Sequence, residues 1–234
     1  MENPRTLVLI PAAGLGTRAK MDKNKVLASM GKSSVIEITA GVFQNHPQVD
    51  QIRIIARKEE LKGMDAIFSD REKWTKLAPM VTGGKERQDS VGNGMMAAQD
   101  TPPDYVLVHD GARPHCSPEL VARVIDELKK HHAVVPALPI HDTVRKKMDH
   151  KTEVLDRENL FRSQTPQGFH WKILLEAHQK ARESGKRFTD DAQMVESIGG
   201  KIHLIRGEAR NLKITEQEDY SLALWLFENQ EWGR

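Results

Sequence analysis

The chain has 234 residues, 38% of them hydrophobic and 29% charged, with a formal net charge of +2. This length can bury a full core, the balanced charge argues against a broad nucleic-acid surface, and no apolar run reaches membrane length. The single cysteine, Cys116, excludes an internal disulfide and suits a reducing, cytoplasmic setting, and the short polar start at 1–6 carries no signal-peptide pattern.

Residues 7–10, Leu-Val-Leu-Ile, read as a buried strand that feeds a glycine turn at Gly14 and Gly16. A polar stretch with Arg18, Lys20, Lys23 and Lys25 follows. Such a turn places bare backbone N–H groups at the carboxyl edge of a sheet, where open α/β sheets bind phosphates; the glycines allow close approach and the cations neutralise charge. Three readings compete. Gly14-x-Gly16-x-x-Ala19 formally fits the dinucleotide fingerprint, but no helix starts at its last small residue. A Walker A loop fails for want of Gly-Lys-Ser/Thr. A solvated basic loop is the third. The length and the cations favour a triphosphate.

Further along, Ser34-Val-Ile-Glu37 is a capping box opening a helix over 35–43. Strands are expected at 52–56 and 80–81, with a charged helix over 58–76 between them that is interrupted near Ser69-Asp70. A helix starts near Asp89-Ser90, and 105–109 is a strong strand. Ser117 and Pro118 cap a helix through Lys130, and 133–138 is another apolar strand. Alternating strands and helices predict an α/β fold: one domain over 1–234, with a doubly wound, largely parallel sheet in three layers. The pattern breaks at 141–162. There 142–146 and 152–157 pair as a polar hairpin around Asp149-His150-Lys151, a protruding β-arm at about 139–162. Having no core face of its own, it packs on something else, such as another subunit. Thr165-Pro-Gln-Gly168 reads as a turn. Helices follow at 171–184 and 189–198, strands at 202–205 and 212–214, and an amphipathic helix at 218–229.

The polar residues at the strand ends form the candidate site: Arg18 and Lys25, Gly83-Gly84-Lys85-Glu86-Arg87 with Ser90, Asp110 and Arg113, Thr189-Asp190, and Lys213. Each alone is more often structural. Several cations converging with one acid on the same sheet edge shift that weighting toward a binding site. No Ser-His or Cys-His pairing is evident, and no His/Cys cluster has metal-ligand spacing.

Ala12-Ala-Gly-Leu-Gly-Thr-Arg18, Lys25, Gly84-Lys-Glu-Arg-Gln-Asp-Ser90, His109-Asp-Gly-Ala-Arg-Pro114, Asp142-Thr143, Asp156-Arg157, Thr165-Pro-Gln167, Thr189-Asp190 and Asn211-Leu-Lys213 stand in sequence order. Their order and spacing resemble the 2-C-methyl-D-erythritol 4-phosphate cytidylyltransferases. The resemblance implies a nucleotidyltransferase, Rossmann-like in fold and related to glycosyltransferase A. It would transfer CMP from CTP to methylerythritol phosphate and release pyrophosphate. It implies that Arg18 and Lys25 stabilise charge at the α-phosphate. Arg157 and Lys213 would hold methylerythritol phosphate, with Thr143, Thr165 and Thr189 nearby. Ala12, Ala13, Gly84, Lys85 and Ser90 would read cytosine, beside Gly14, Gly16 and Arg87 at the nucleotide. Asp110 and Arg113 would lie near ribose and acceptor. It also implies Mg²⁺ carried mainly by the CTP phosphates, and a homodimer in which the arm reaches the partner. Two departures stand out. Family members often have Pro before the loop lysine; Asn24 there predicts a more mobile loop. Lys85 stands where an acid is common. The nearest rival is ribitol-5-phosphate cytidylyltransferase, against which His109-Asp-Gly-Ala-Arg-Pro and Thr189-Asp-Asp-Ala weigh. A catalytically dead regulator is opposed by the joint presence of Arg18, Lys25, Arg157 and Lys213.

Overall fold

A computed structural model describes residues 4–14 and 24–229. Among these, twelve strands and seven helices follow one another in the expected alternation. The first strand, Thr6–Pro11 (β1), leads to a short 3-10 turn at Lys25–Leu27, then Ser29–Met30 (β2), Ser33–Ser34 (β3) and helix Val35–Gln44 (α1). Next come Gln51–Ala56 (β4), Leu61–Ile67 (α2), Val81–Thr82 (β5), Arg87–Met96 (α3), Tyr105–Val108 (β6) and Pro118–Leu128 (α4). Ala133–Pro139 (β7) precedes Arg145–Lys147 (β8), Thr152–Val154 (β9), Phe161–Ser163 (β10) and Gln167–His170 (β11). The chain closes with Trp171–Ser184 (α5), Asp191–Ser197 (α6), His203–Arg206 (β12) and Gln217–Glu228 (α7).

The central sheet has eight strands. β1 pairs in parallel with β4 and β6, β4 with β5, and β7 with β12. β11 runs antiparallel between β6 and β7, and β10 runs antiparallel to β7. The sheet is therefore mixed but mostly parallel, with two antiparallel insertions. Its central strands are buried on both faces, as a sheet with helices on both sides requires. One core cluster packs Ile36, Phe43, Met64, Leu120 and Ala223 against the first face. The other packs Val91, Met95, Leu174 and Val195 against the second. Three layers result.

Local sequence explains the helix starts. Ser34 Oγ accepts the Glu37 N–H and Glu37 Oε2 accepts the Ser34 N–H, closing the expected capping box. Ser117 Oγ accepts the Leu120 N–H at 3.0 Å and Pro118 occupies the first turn of α4. The buried face of α4 is Leu120, Val121, Val124, Ile125 and Leu128, a helical stripe.

Three expectations are corrected. The helix expected over 58–76 stops at Ile67. Asp70 Oδ1 accepts the N–H groups of Glu72 and Lys73, an Asx turn, and the chain folds back to put Trp74 edge-on to Phe68 at 4.7 Å. Residues 165–168, read as a turn, instead enter β11. Gly168 is required there: a Cβ would lie 2.5 Å from Val124 Cγ1, so α4 packs directly on the strand backbone. Residues 212–214 form no strand. The Ile214 N–H reaches the Ala112 carbonyl at 2.9 Å, and the segment crosses the end of the sheet. The hairpin does form, as β8 and β9 pairing antiparallel from Arg145 opposite Val154 to Lys147 opposite Thr152, and every residue in both strands is exposed.

Candidate active site

The carboxyl ends of β1, β4, β5 and β6 open into one cavity of about 560 Å³. Ala12, Ala13, Gly14 and Lys25 line one wall, Gly84, Lys85, Arg87 and Ser90 another, and Asp110 and Lys213 the floor. These ten residues, with Glu86, were singled out from the sequence and meet in one place, far apart in the chain, because parallel strands deliver their following loops to the same edge. Arg18 and Gly16 lie outside the described residues.

The glycine pair explains how the second wall closes. A Cβ on Gly83 would sit 2.5 Å from Ala13 Cβ, and one on Gly84 would sit 2.3 Å from Asp89 Cβ. Only bare backbone fits between the first loop and α3. Ser90 Oγ accepts the Gly84 N–H at 3.1 Å and donates to the Glu86 carbonyl at 3.0 Å, fixing the turn.

Asp110 is the electrostatic centre. Its Oδ1 accepts from Arg87 Nε at 3.1 Å, and its Oδ2 lies 2.9 Å from Lys213 Nζ and 3.5 Å from Arg113 Nε. Burial alone would raise its pKa, but the charges of Arg87, Lys213 and Arg113 hold the carboxyl well below the usual range. Arg87 is held a second time by Asp191, 2.6 Å from its guanidinium and fully buried. Burial would raise the Asp191 pKa too, and Arg87, with His178 at 3.4 Å, lowers it. Asp110 is thus surrounded by three cations, one of them shared with Asp191, so this cluster of three cations and two acids keeps a net positive charge for an anionic ligand.

Behind Asp110 lies a neutral framework. Thr165 Oγ1 accepts the Asp110 N–H at 3.1 Å. The His109 Nε2 is 3.2 Å from the Arg113 carbonyl, which can only accept, so Nε2 carries the proton and Nδ1 accepts from the Thr165 hydroxyl at 3.2 Å. Burial pushes the His109 pKa down to about 4, keeping the ring neutral. Asn211 Nδ2 donates to the Thr165 carbonyl at 2.7 Å while its own backbone carbonyl accepts from Arg113 at 2.8 Å.

The remaining candidates fall elsewhere. Thr165 has its hydroxyl committed to this framework. Arg113 is buried behind Asp110 and does not line the cavity. Thr189 is bonded to Gln193 at the edge of α6. Thr143 and Arg157 are exposed at the base of the arm, away from the cavity of their own chain, with Arg157 donating to the His141 carbonyl. Three contributors escaped the sequence reading, and a fourth, Asn24, was noticed there only as a departure. Arg57 and Glu59 line the cavity from the loop after β4, which the strand-end rule could have found. Asp191 stands beside the Thr189-Asp190 motif but reveals itself only through Arg87, 104 residues away. Asn24, expected to loosen its loop, is buried and bonded by all its side-chain groups: to the Ala12 carbonyl, to Glu60 and to the Val26 N–H.

A mostly parallel sheet with a glycine loop and a cation-ringed cavity at its carboxyl edge defines a nucleotidyltransferase. The matching family model, 2-C-methyl-D-erythritol 4-phosphate cytidylyltransferase (IspD), covers residues 6–229. The chain is 37% identical over 217 residues to the enzyme of that name from Syntrophotalea carbinolica, covering 92% of this chain and 93% of that one. It superposes on the crystal structure of 4-diphosphocytidyl-2C-methyl-D-erythritol synthase from Anaerococcus prevotii with a TM-score of 0.84 at 29% identity, covering 97% and 100% of the two chains. For the Thermus thermophilus cytidylyltransferase the TM-score is 0.79 at 33% identity, covering 96% and 99%. The chain belongs to the 2-C-methyl-D-erythritol 4-phosphate cytidylyltransferase family.

Proposed function

We propose that this chain transfers CMP from CTP to 2-C-methyl-D-erythritol 4-phosphate, giving 4-diphosphocytidyl-2-C-methyl-D-erythritol and pyrophosphate, a step of isoprenoid biosynthesis. The observation that carries this reading is the cavity itself, where Arg87 and Lys213 flank the buried carboxylate of Asp110 and Lys25 lines the facing wall beside the glycine turn. The acceptor phosphate oxygen attacks the α-phosphorus of CTP. A P–O bond forms there as the bond to the β-phosphate bridge breaks, and pyrophosphate leaves with that electron pair. A phosphate monoester has its second pKa near ~6, so the nucleophile arrives ionised and no general base is required. That agrees with His109, behind Asp110, being buried and hydrogen-bonded at both nitrogens, and with the Cys116 thiol being outside the cavity lining and pushed up by burial. The chemistry instead needs cancellation of charge between two anions and in-line positioning.

Ala12, Ala13, Gly84, Lys85 and Ser90 face the base, Gly14 and Lys25 face the phosphates, and Lys213 with Asp110 faces the junction of nucleotide and acceptor. Among the described residues, the acidic side chains lining the cavity are Glu59, Glu86 and Asp110, hard oxygen donors of the kind Mg²⁺ accepts. The Asp110 oxygens already meet Arg87 and Lys213, so Mg²⁺ would be held chiefly by the triphosphate. When bound, it neutralises charge on the departing pyrophosphate. Arg157 and Thr143 sit on an exposed arm away from their own cavity, which supports a homodimer in which they serve the partner's acceptor site. The free, buried thiol of Cys116 supports a reducing, cytoplasmic setting. No described helix is long and apolar enough to cross a membrane.

Pyrophosphate release measured with CTP and methylerythritol phosphate, with CTP and ribitol 5-phosphate, and with UTP replacing CTP tests the reading. Turnover is expected only with the first pair. Preference for ribitol 5-phosphate, or equal turnover with UTP, would overturn it.

A further inference from the structure

We propose that Asn24 is a positioning residue for Lys25, fixing that cation at the cavity through a buried buckle between the ends of β1 and β4. This deepens the transfer reading above and rests on it. Asn24 is 5% exposed. Its amide nitrogen donates to the Ala12 carbonyl at 3.1 Å and to Glu60 Oε2 at 2.9 Å, using both hydrogens. Its amide oxygen accepts the Val26 N–H, capping the 3-10 turn that begins at Lys25. Its own carbonyl accepts the Leu27 N–H at 2.8 Å. Each partner is itself tied down. The Ala12 N–H donates to the Ile55 carbonyl at 2.7 Å, so that residue is fastened on both sides. Glu60 offers its other oxygen to Arg57, which lines the cavity, and the Glu60 hydrogen bond raises the Arg57 pKa.

The geometry assigns the buckle a task. Lys25 is the residue next to Asn24, and a side chain that long reaches a defined point only if its Cα is fixed. Asn24 fixes it from both strand ends that frame the cavity. A buried amide with every polar group matched has one low-energy arrangement, and an unmatched one costs the whole desolvation of the orphaned groups. An aspartate is nearly isosteric, yet it would set a carboxylate oxygen against the Ala12 carbonyl and the Glu60 carboxylate. The buckle therefore specifies an amide by polarity and not by size.

The test measures kcat, KM for each substrate and melting temperature for wild type, Asn24→Ala, Asn24→Asp, Lys25→Ala and the Asn24→Ala/Lys25→Ala double variant. Wild-type turnover of CTP with methylerythritol phosphate comes first, and its absence would overturn the functional reading itself. Given turnover, Asn24→Ala is expected to lose about 10- to 100-fold in kcat, the scale of an ångström-level misplacement. KM for methylerythritol phosphate should stay within about twofold and the melting temperature within about 4 °C. Asn24→Asp, which keeps the cap to Val26, should lose as much despite its shape. In the Lys25→Ala background the same Asn24→Ala change should cost less than about threefold, because the cation it positions is gone. A wild-type kcat in Asn24→Asp, or an Asn24→Ala loss that multiplies in full onto Lys25→Ala, would overturn the proposal. If Asn24→Ala does not fold, the Asn24→Asp comparison decides it alone.

Discussion

At the scale of single residues, the site is an exercise in keeping charge where it is wanted. Asp110 does not act on a proton; three cations hold it ionised, and it in turn orients Arg87 and Lys213. Lys25 stands at the opposite wall, and its charge helps, after the Thr215 and Glu216 hydrogen bonds, to keep the Asp219 carboxyl ionised against the effect of burial. Its proposed role falls in the transition state, where charge on the transferred phosphate is redistributed. Lys25→Ala should lower kcat by about 10²–10³ with a smaller change in CTP affinity, as removal of one preorganised donor does; steady-state kinetics with isothermal titration would separate the two, and an unchanged kcat would remove Lys25 from the mechanism. His109 makes a different prediction. Its folded pKa of about 4 lies below the unfolded value of 6.5, so the unfolded chain takes up the proton first. The stability it contributes is complete above pH ~6.5 and is lost as pH falls toward ~4. His46 and His115, also lowered by burial, act in the same sense. Denaturant melts from pH ~7.5 to ~4 should slope downward on the acid side, and His109→Gln should flatten that slope; an unaltered slope would contradict a neutral His109 in the folded protein.

Among the elements, the loop between β5 and α3 is shaped by backbone that no side chain could replace. Gly83 and Gly84 lie where any Cβ collides, with Ala13 on one side and Asp89 on the other. Gly84→Ala forces Asp89 and the start of α3 to shift, an overpacking cost of about 1–3 kcal/mol. Because that wall is proposed to read the base, KM for CTP should rise by about tenfold or more while the KM for the acceptor changes little. Thermal denaturation and kinetics on the same sample would show both effects, and an unchanged KM for CTP would detach this loop from base recognition. The misread elements have local causes as well. Residues 165–168 carry turn residues, yet Gly168 is there to let α4 lie on the strand. Residues 212–214 have strand-like composition, but the Ile214 N–H bonds to the Ala112 carbonyl at the end of the sheet and no strand forms there. Asn24 replaces the stiffness that a ring would give with three hydrogen bonds.

For the whole molecule, the exposed polar hairpin is the element whose role the proposed homodimer would explain. In the proposed homodimer the arm crosses the two-fold axis, so Arg157 completes the partner's acceptor site while Lys25 serves its own. Equal amounts of Lys25→Ala and Arg157→Ala subunits, allowed to exchange, give about half heterodimers if association is random. Each heterodimer then has one site with both defects and one with neither, so about a quarter of wild-type activity should return. If both residues served the same chain, every site would keep one defect. A mixture that stays inactive after exchange has been verified by native mass spectrometry would exclude the crossed arrangement.

The alternation of strands and helices was legible in the chain, because periodicity and caps are written in neighbouring residues: Ser34 with Glu37, Ser117 with Pro118, the apolar runs of β1 and β6. Most of the cavity was legible too, since a parallel sheet sends every strand-following loop to one edge and those loops can be picked out one at a time. Which polar residues line the cavity and which stand behind them was decided only by the packed fold. Arg113 and Thr165 look like binding residues in the chain and are hydrogen-bonded behind the cavity wall; Arg57 and Asp191 look ordinary and Asn24 looks like a loosening substitution, yet all three are tied to the cavity. The reason is physical. A side chain's task here depends on partners 12 to 104 positions away, whose meeting is set by sheet register and helix packing and leaves no periodic mark in the sequence.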